Sequence, residues 1–185
     1  MSIEALLPPG GKVLDFGCGY GMLSNLISLR APSRHVQGVD LNRNRIAVAK
    51  RSAIDRDNID FYLGDVNDLM VETFDAVVMT DVMHHLSDQD SRIILRKISS
   101  CLRPGGLLVI LDVDRRPFWK FFFTYLVDRC LNPRSTLHYR SSKRMITLLK
   151  QFSFAVKGIV PVHEGLPLSD VIYIGELESS SPSSQ

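Results

Sequence analysis

Short apolar runs alternate with amphipathic stretches along the first two thirds of the chain. Between the runs, apolar side chains recur at helical spacing, as Ile46 and Ala49 do after Asn42, a residue type that caps helices. The runs are rich in β-branched residues and predict five strands, at residues 12–16, 35–40, 59–63, 74–80 and 107–111. Strands that alternate with helices are typical of βαβ units, so the pattern predicts a parallel sheet.

Residues that start or stop helices mark the other boundaries in this region. Pro32 ends the first predicted helix, and Asp88 can cap the third, which carries Ile94 and Leu95 on its apolar face. A Pro-Gly-Gly turn at residues 104–106 then leads the chain into the fifth strand.

The regular alternation stops after the fifth strand. Residues 115–132 are too apolar for a loop and too short to span a membrane. They predict a helix with a wide apolar face and a narrow polar stripe formed by Lys120, Thr124 and Asp128.

The last part of the chain predicts one more helix and two strands. Ser141 or Ser142 can cap the helix, and the strands fall at residues 154–162 and 171–177. A short connection, residues 163–167, joins the two strands and favours an antiparallel hairpin at one end of the sheet.

Composition places the chain among globular proteins. It has 185 residues, of which 45% are hydrophobic and 23% charged, which excludes a collagen-like or largely disordered chain. Its three cysteines lie far apart and favour neither a disulfide framework nor a zinc site. No apolar run reaches the roughly 20 residues of a membrane span, so we expect a cytoplasmic protein. We predict one domain over residues 1–178 and a disordered tail at 179–185.

The small net charge of +2 hides an uneven distribution. Residues 1–114 carry 12 Lys or Arg and 15 Asp or Glu, whereas residues 115–157 carry ten Lys or Arg and one acid. The strongly basic block therefore begins with the apolar helix predicted after the fifth strand.

A glycine-rich turn follows the first predicted strand. After Asp15, glycine occupies every second position, at Gly17, Gly19 and Gly21, which removes side chains and leaves backbone N–H groups at the carboxyl end of a parallel strand. A dinucleotide-binding turn requires glycine or alanine where this chain has Met22, which weakens that interpretation. The spacing Asp-x-Gly-x-Gly-x-Gly instead resembles the first motif of the class I S-adenosylmethionine-dependent methyltransferases.

The resemblance to this family covers residues 11–112 and, more loosely, the final hairpin. Asp40 ends the second strand, where such enzymes bind the ribose hydroxyls of the cofactor, and Asp65 follows the third strand, where they bind the adenine amino group. Leu41 or Val66 is expected to flank the adenine ring. The segments FDAVVMTDVMHHL, residues 74–86, and LRPGGLLVI, residues 102–110, also look like the family.

The resemblance implies a Rossmann-like three-layer α/β sandwich and S-adenosyl-L-methionine as the cofactor. Its seven-stranded, mostly parallel sheet would end in a C-terminal antiparallel hairpin strand. Asp15 either caps amides of the glycine turn or contacts the cofactor's amino group, and Asp81 either starts the next helix or contacts the ligand. The residues predicted to bind the cofactor are Asp15, Gly17, Gly19, Gly21, Asp40, Leu41, Asp65, Val66, Thr80 and Asp81.

Methyl transfer from a sulfonium is an in-line displacement that mainly requires alignment and exclusion of water. A base is needed only where the acceptor loses a proton, and His85, then His84, is the candidate by residue type and position. A histidine held by the backbone is the structural alternative. The pair has no further ligand at metal-binding spacing, so no metal is predicted.

The helical insertion at residues 113–140 is expected to cover the acceptor side of the site. Its aromatic and basic residues suit a small acceptor that is lipophilic or anionic, or a peripheral contact with an anionic membrane through residues 115–134. A lid helix or a homodimer contact is the alternative. Nucleic acid is not favoured, because the aromatics cluster in one helix and the family's Asn/Asp-Pro-Pro-aromatic motif is absent.

Three functional hypotheses follow. The first is methyl transfer to a small acceptor. The second is a non-catalytic cofactor-binding module that regulates a partner enzyme. Its grounds are the exposed character of the insertion and the start of the chain, where only about ten residues precede the first strand and related enzymes usually carry helices that close over the cofactor. The third is an interfacial membrane-binding protein that acts through the basic aromatic helix.

Overall fold

Seven strands form one sheet within the residues described by the computed structural model, which are 2–65, 73–131, 136–162 and 169–179, without the side chains of Asp128 and Leu131. The strands are β1 Gly11–Phe16, β2 Arg34–Asp40, β3 Ile59–Leu63, β4 Phe74–Thr80, β5 Leu102–Val113, β6 Phe154–Pro161 and β7 Asp170–Leu177. The helices are α1 Met22–Arg30, α2 Arg43–Arg51, α3 Asp88–Cys101, α4 Phe118–Leu131 and α5 Ser142–Gln151. Val66, the connection at 163–167 and most of the tail predicted at 179–185 lie outside the described residues.

The strand order is β3-β2-β1-β4-β5-β7-β6. Neighbouring strands from β3 through β5 pair in parallel, and β7 pairs antiparallel with both β5 and β6. The predicted α/β fold with a seven-stranded, mostly parallel sheet and a C-terminal antiparallel strand is confirmed. In addition, β7 lies inside the sheet, between β5 and β6, so that β6 forms one edge and β3 the other.

Alternate residues of the central strands pack on opposite faces of the sheet, which gives three layers. On one face, Val13 belongs to the same core cluster as Ile27 of α1 and Ala49 of α2. On the other, Leu14 shares a cluster with Leu95 of α3 and Leu149 of α5. Burial on both faces explains why these strands are continuous apolar runs in the sequence.

Two of the predicted helix caps differ in outcome. Asn42 caps α2 as predicted, because its side-chain oxygen accepts hydrogen bonds from the N–H groups of Asn44 at 3.0 Å and Arg45 at 3.2 Å. The cap predicted for Asp88 is wrong. Ser87 caps α3 by accepting from the Asp90 N–H at 3.1 Å, whereas Asp88 is the first helical residue and pairs with arginines instead.

The cap of α5 is Ser141, one of the two serines predicted. The Ser141 hydroxyl accepts from the Arg144 N–H, while Ser142 turns inward to hydrogen-bond Asp114 and Tyr173. Strand β5 is also longer than predicted, because the turn at 104–106 forms within it, where its register against β4 shifts.

None of the helices in the described residues is both long enough and apolar enough to cross a membrane.

Candidate active site

A cleft of about 750 Å³ opens at the carboxyl ends of β1 to β4. This edge is where open α/β sheets bind ligands, because the helices after β1 and β4 pass to opposite faces and leave a crevice between them. The volume lies within the roughly 300–1,000 Å³ that is usual for small-molecule sites. The cleft is lined by Phe16, Gly17, Val39, Asp40, Leu41, Asn42, Arg45, Gly64, Asp65, Asp81, Val82, His85, Leu86, Asp90, Ile93 and Ile94.

The glycine turn forms the base of the cleft. The N–H groups of Gly17 and Cys18 both donate to the Val39 carbonyl, at 2.8 Å and 3.0 Å, which fastens the turn to the end of β2. Gly17 has a φ of +79°, and a Cβ there would approach Val82 Cγ2 to 2.4 Å. Glycine is therefore required at this position, because the turn passes close to the loop between β4 and α3, here called the β4 loop.

Gly21 serves packing rather than the cleft. It is the N-cap of α1 with a φ of +77°, and a Cβ would approach the ring of Phe61 to 2.5 Å. Gly21 does not line the cleft, nor does Gly19, whose N–H donates to Asp40 Oδ2 at 2.9 Å. The three predicted glycines thus hold the turn in shape, and Gly17 alone of them lines the cleft in the described structure.

Asp40 joins the glycine turn to the start of α2. While Oδ2 accepts from Gly19, Oδ1 accepts from the Asn42 N–H at 2.7 Å. Each carboxylate oxygen can accept a second hydrogen bond, so both remain able to bind ligand hydroxyls. The neighbouring Leu41 is 75% exposed and forms an apolar rim at the same end of the cleft.

Asp15 lies beneath the turn and does not line the cleft. It is fully buried; its Oδ2 accepts from Ser24 Oγ at 2.5 Å, and its Oδ1 has no hydrogen-bond partner in the described structure. Burial raises the pKa of this carboxyl to about 6, although the Ser24 hydrogen bond acts in the opposite direction.

Four carboxylates face the cleft and make it acidic. Asp40, Asp65, Asp81 and Asp90 are the acids among the described lining residues, and Arg45 is the one Lys or Arg. Asp81 has a φ of +55°, an uncommon conformation for a residue with a side chain, and its N–H donates to the Leu111 carbonyl at 3.0 Å. The cleft therefore suits a ligand that carries positive charge and hydroxyl groups.

The two adjacent histidines lie in different environments. His85 is exposed on the cleft wall. His84 is buried off the cleft, with its Nδ1 2.5 Å from Asp112 Oδ1 and its ring stacked on Tyr139 at 5.6 Å between centroids. His84 therefore fits the alternative of a structural histidine, and His85 remains the candidate base. Thr80, half-buried at the end of β4, also lies off the cleft.

The sequence interpretation missed most of the apolar wall. Val82 and Leu86 flank His85 in the β4 loop, and Ile93 and Ile94 belong to the first turns of α3. Their position in the second turn of the helix that follows the candidate base was the signal available, but both isoleucines fit equally well as core residues. Arg45 was missed as well, because nothing in the sequence indicates which side of α2 faces the cleft.

Arg140, at the end of the predicted insertion, hydrogen-bonds the β4 loop from the protein interior. Its buried guanidinium donates to the Met83 carbonyl at 2.6 Å, the Leu86 carbonyl at 2.9 Å and Ser91 Oγ at 2.8 Å. These bonds tie both ends of the segment that carries His85 to the start of α3. The basic composition of residues 115–157 gave no indication that this arginine is internal.

Comparison with known protein families relates the chain to methyltransferases. The family model described as a methyltransferase domain matches residues 13–106, about half of the chain. The ubiquinone biosynthesis O-methyltransferase of Xanthomonas axonopodis pv. citri is 34% identical over 116 residues, which are 60% of this chain and 47% of that protein. The protein of the same name from Pseudomonas syringae pv. tomato is 30% identical over 71% of this chain and 57% of its own. The chain thus spans about half the length of these curated relatives.

Solved structures share the fold at lower sequence identity. A SAM-dependent methyltransferase from Methanosarcina mazei superposes with a TM-score of 0.76 at 19% identity and covers 95% of this chain and 96% of its own. An S-adenosylmethionine-dependent methyltransferase from Mesorhizobium loti gives a TM-score of 0.74 at 18% identity, over 93% and 94% of the two chains.

Proposed function

The chain belongs to the class I S-adenosylmethionine-dependent methyltransferases, a family whose cofactor is S-adenosyl-L-methionine, and from this membership we propose that it transfers a methyl group to a small acceptor. The observation that carries the proposal is the acidic cleft at the carboxyl ends of β1 to β4, with the glycine turn at its base and His85 on its wall. S-adenosyl-L-methionine carries a sulfonium, an ammonium and two ribose hydroxyls, and the carboxylates of the cleft fit these groups because they are negatively charged and accept hydrogen bonds.

The residues proposed to hold the cofactor follow from their chemistry and from the family pattern. Asp40 accepts hydrogen bonds from the ribose hydroxyls, Asp65 binds the adenine amino group, and Leu41 packs against the ring. Asp81 and the turn at Gly17 bind the methionine part. Asp15 acts from below, through Ser24, by keeping the turn in the shape that this binding requires.

The cofactor supplies an electrophilic methyl group, and the chain's own residues perform alignment, exclusion of water and proton removal. Val82, Leu86 and Ile93 form an apolar wall that keeps water from the reacting groups. His85, on the same wall, accepts the proton that a hydroxyl acceptor loses. Arg140 keeps this histidine in place by fixing the Met83 and Leu86 carbonyls on either side of it.

We propose that the acceptor is lipophilic and offers an oxygen nucleophile. The apolar wall beside His85 supports a lipophilic acceptor, and the names of the curated relatives, ubiquinone biosynthesis O-methyltransferases, support oxygen. The sequence predicts two possible partners, an anionic membrane at residues 115–134 or a second copy of the chain. Either partner would contact the exposed side of α4.

The test is methyl transfer from S-adenosyl-L-methionine carrying a labelled methyl group to a panel of lipophilic phenols. We expect product with the wild type, and we expect His85→Ala to lower kcat by about 10²- to 10⁴-fold, the usual contribution of a general base. The variant should still bind the cofactor, and its residual rate should rise with pH as the phenol ionises by itself.

His35→Ala is the matched control, because His35 is a partly exposed histidine paired with Asp60 on β3, outside the cleft lining. Unchanged kcat in His85→Ala would remove the base from the proposal. Tight cofactor binding without turnover of any acceptor would contradict the proposed enzyme and favour the regulatory module instead.

A further inference from the structure

Helix α4 exposes its apolar side to solvent. Phe118 is 74% exposed, Trp119 63% and Phe122 57%, values expected of polar surface residues. We call the exposed apolar side chains of this helix the aromatic surface, which consists of Phe118, Trp119, Phe122, Phe123, Tyr125 and Leu126. A contiguous exposed surface of this kind marks an interaction site in a folded protein.

The polar side of α4 is the side that packs on the protein. Lys120 and Thr124 are both buried. The Thr124 hydroxyl donates to the Lys120 carbonyl at 3.0 Å and accepts from the Ser169 N–H at 3.2 Å, which joins the helix to the residue before β7. The Ser169 hydrogen bond and the burial of Lys120 and Thr124 place the polar side of the helix against the protein and its apolar side toward solvent, the reverse of an ordinary surface helix.

Exposed cations border the aromatic surface. Arg115 and Arg116 lie just before α4, and Arg129 lies in its last turn, over the ring of Tyr125 at 5.9 Å. A second copy of the chain fits this surface poorly, because a two-fold interface would bring two sets of arginines together. An anionic lipid surface complements both properties at once: its phosphates pair with the arginines, and its acyl chains accept the rings.

We propose that α4 docks the protein on the surface of an anionic lipid bilayer. The helix has 14 residues, which corresponds to about 21 Å, too short to span the roughly 30 Å hydrocarbon core. It lies in the plane of the interface, with the aromatic surface buried among the upper acyl chains and with Arg115, Arg116 and Arg129 at the phosphates.

A chain of ring contacts connects the docking helix with the cleft. Phe121 and Tyr125 of α4 contact Tyr139, with ring centroids 5.0 Å and 6.3 Å apart. Tyr139 stacks on His84, whose ring lies 4.2 Å from that of His85 on the cleft wall. Docking through α4 therefore brings the cleft close to the bilayer, from which a lipophilic acceptor can enter; this last step rests on the proposed function, whereas docking itself does not.

Trp119 is the only tryptophan in the chain, so its fluorescence reports directly on the aromatic surface. The protein is mixed with vesicles of phosphatidylcholine alone or of phosphatidylcholine with phosphatidylglycerol. We expect a blue shift, and quenching by lipids brominated on the acyl chains, only with the anionic vesicles. High salt should weaken the binding, because part of the attraction is electrostatic.

Vesicle flotation compares two variants that remove equally exposed apolar side chains. Trp119→Ala with Phe122→Ala should lower the partition coefficient about tenfold or more, because two large side chains no longer leave water. Leu29→Ala with Ile54→Ala, which removes two exposed residues away from α4, should bind like the wild type. Asp40→Ala should also float normally, so a failure of docking and a failure of cofactor binding can be distinguished.

Three results would overturn the proposal. The first is a Trp119 spectrum that anionic vesicles leave unchanged, and the second is equal flotation of the wild type and the Trp119/Phe122 variant. The third is sedimentation of the wild type as a dimer and of the variant as a monomer, because the aromatic surface would then bind a second copy.

Discussion

A fully buried carboxyl group, that of Asp15, lies beneath the turn that shapes the cleft. Its hydrogen bonds in the described structure come from Ser24, and Oδ1 has no partner. A buried charge without full hydrogen bonding is costly, so the neutral form is favoured. This residue has the type and spacing of a ligand-binding acid, but its position within β1, before the strand ends, turns its side chain into the protein rather than toward the cleft.

The pH dependence of stability should report on Asp15. Its pKa rises from the ordinary 3.8 to about 6, so the group is protonated in both folded and unfolded chains at low pH. Between about pH 4 and pH 6 the unfolded chain has released this proton and the folded chain still holds it, so the folded protein loses stability as the pH rises through this range. A pKa that is higher by about two in the folded chain corresponds to a loss of about 3 kcal/mol in the free energy of unfolding across this range.

Asp15→Asn removes the titrating group at nearly constant shape. The wild type should lose about 3 kcal/mol of its free energy of unfolding between about pH 4 and pH 7 through this group, and Asp15→Asn should not. The difference between variant and wild type should therefore change by about 3 kcal/mol in favour of the variant over this range. Urea denaturation at a series of pH values measures it. Asp57→Asn, at an exposed site, is the control and should follow the wild type. A difference between Asp15→Asn and the wild type that does not change with pH would show that the carboxyl is not strained by burial.

At the scale of elements, the loop between β4 and α3 depends on a distant arginine. Arg140 lies more than fifty positions along the chain from Met83 and Leu86, yet it satisfies both of their carbonyls. It also pairs with Asp88, as does Arg144. The two arginines thus share a partner, although the side chain of Arg140 is 3% exposed and that of Arg144 is 64% exposed.

This pair allows a matched test of burial. Arg140→Met should cost about 3–5 kcal/mol of stability, because it leaves buried carbonyl groups and Ser91 without their donor. Arg144→Met should cost less than about 1 kcal/mol, the usual worth of an exposed ion pair. Urea denaturation at neutral pH compares them, and equal losses would contradict the internal role of Arg140.

The elements themselves followed from the sequence to different degrees. The strands β1 to β4 agree with the sequence prediction within one residue at each end, because the inner ones contain buried apolar runs and the edge strand β3 keeps Ile59 and Phe61 buried at alternate positions. The cap of α3 was misassigned, because Ser87 and Asp88 are both capping types and the arginines that engage Asp88 come from far along the chain. The position of β7 between β5 and β6 depends on long-range pairing that no local pattern encodes.

Helix α4 shows the same limit most clearly. Its sequence predicted a wide apolar face and a narrow polar stripe, but a pattern of this kind does not tell which side faces the protein. Contacts from elsewhere in the chain decide it, such as the hydrogen bond from the Ser169 N–H to Thr124. The cleft lining divides similarly. Asp40, Asp65, Asp81 and His85 lie at or just after strand ends and were predicted, whereas Ile93 and Arg45 reach the cleft through the way α3 and α2 lie on the sheet.

Across the whole molecule, charge is separated between two surfaces. The cleft is lined by four aspartates, and the outer helix α4 is bordered by arginines. If both proposals hold, these surfaces act in sequence: the aromatic surface and the arginines that border it position the protein, and the acidic cleft holds a positively charged cofactor. The central claim is therefore that the cleft binds S-adenosyl-L-methionine through Asp40.

Calorimetric titration tests this claim most directly, with S-adenosyl-L-methionine, S-adenosylhomocysteine and NAD as ligands for the wild type, Asp40→Ala and the exposed control Asp57→Ala. We predict that the wild type and the control bind the first two ligands and not NAD, and that Asp40→Ala binds them at least about tenfold more weakly, because charge-assisted hydrogen bonds are lost. Circular dichroism checks that Asp40→Ala remains folded. A wild type that binds neither sulfur ligand, or a folded Asp40→Ala that binds them unchanged, would contradict the account.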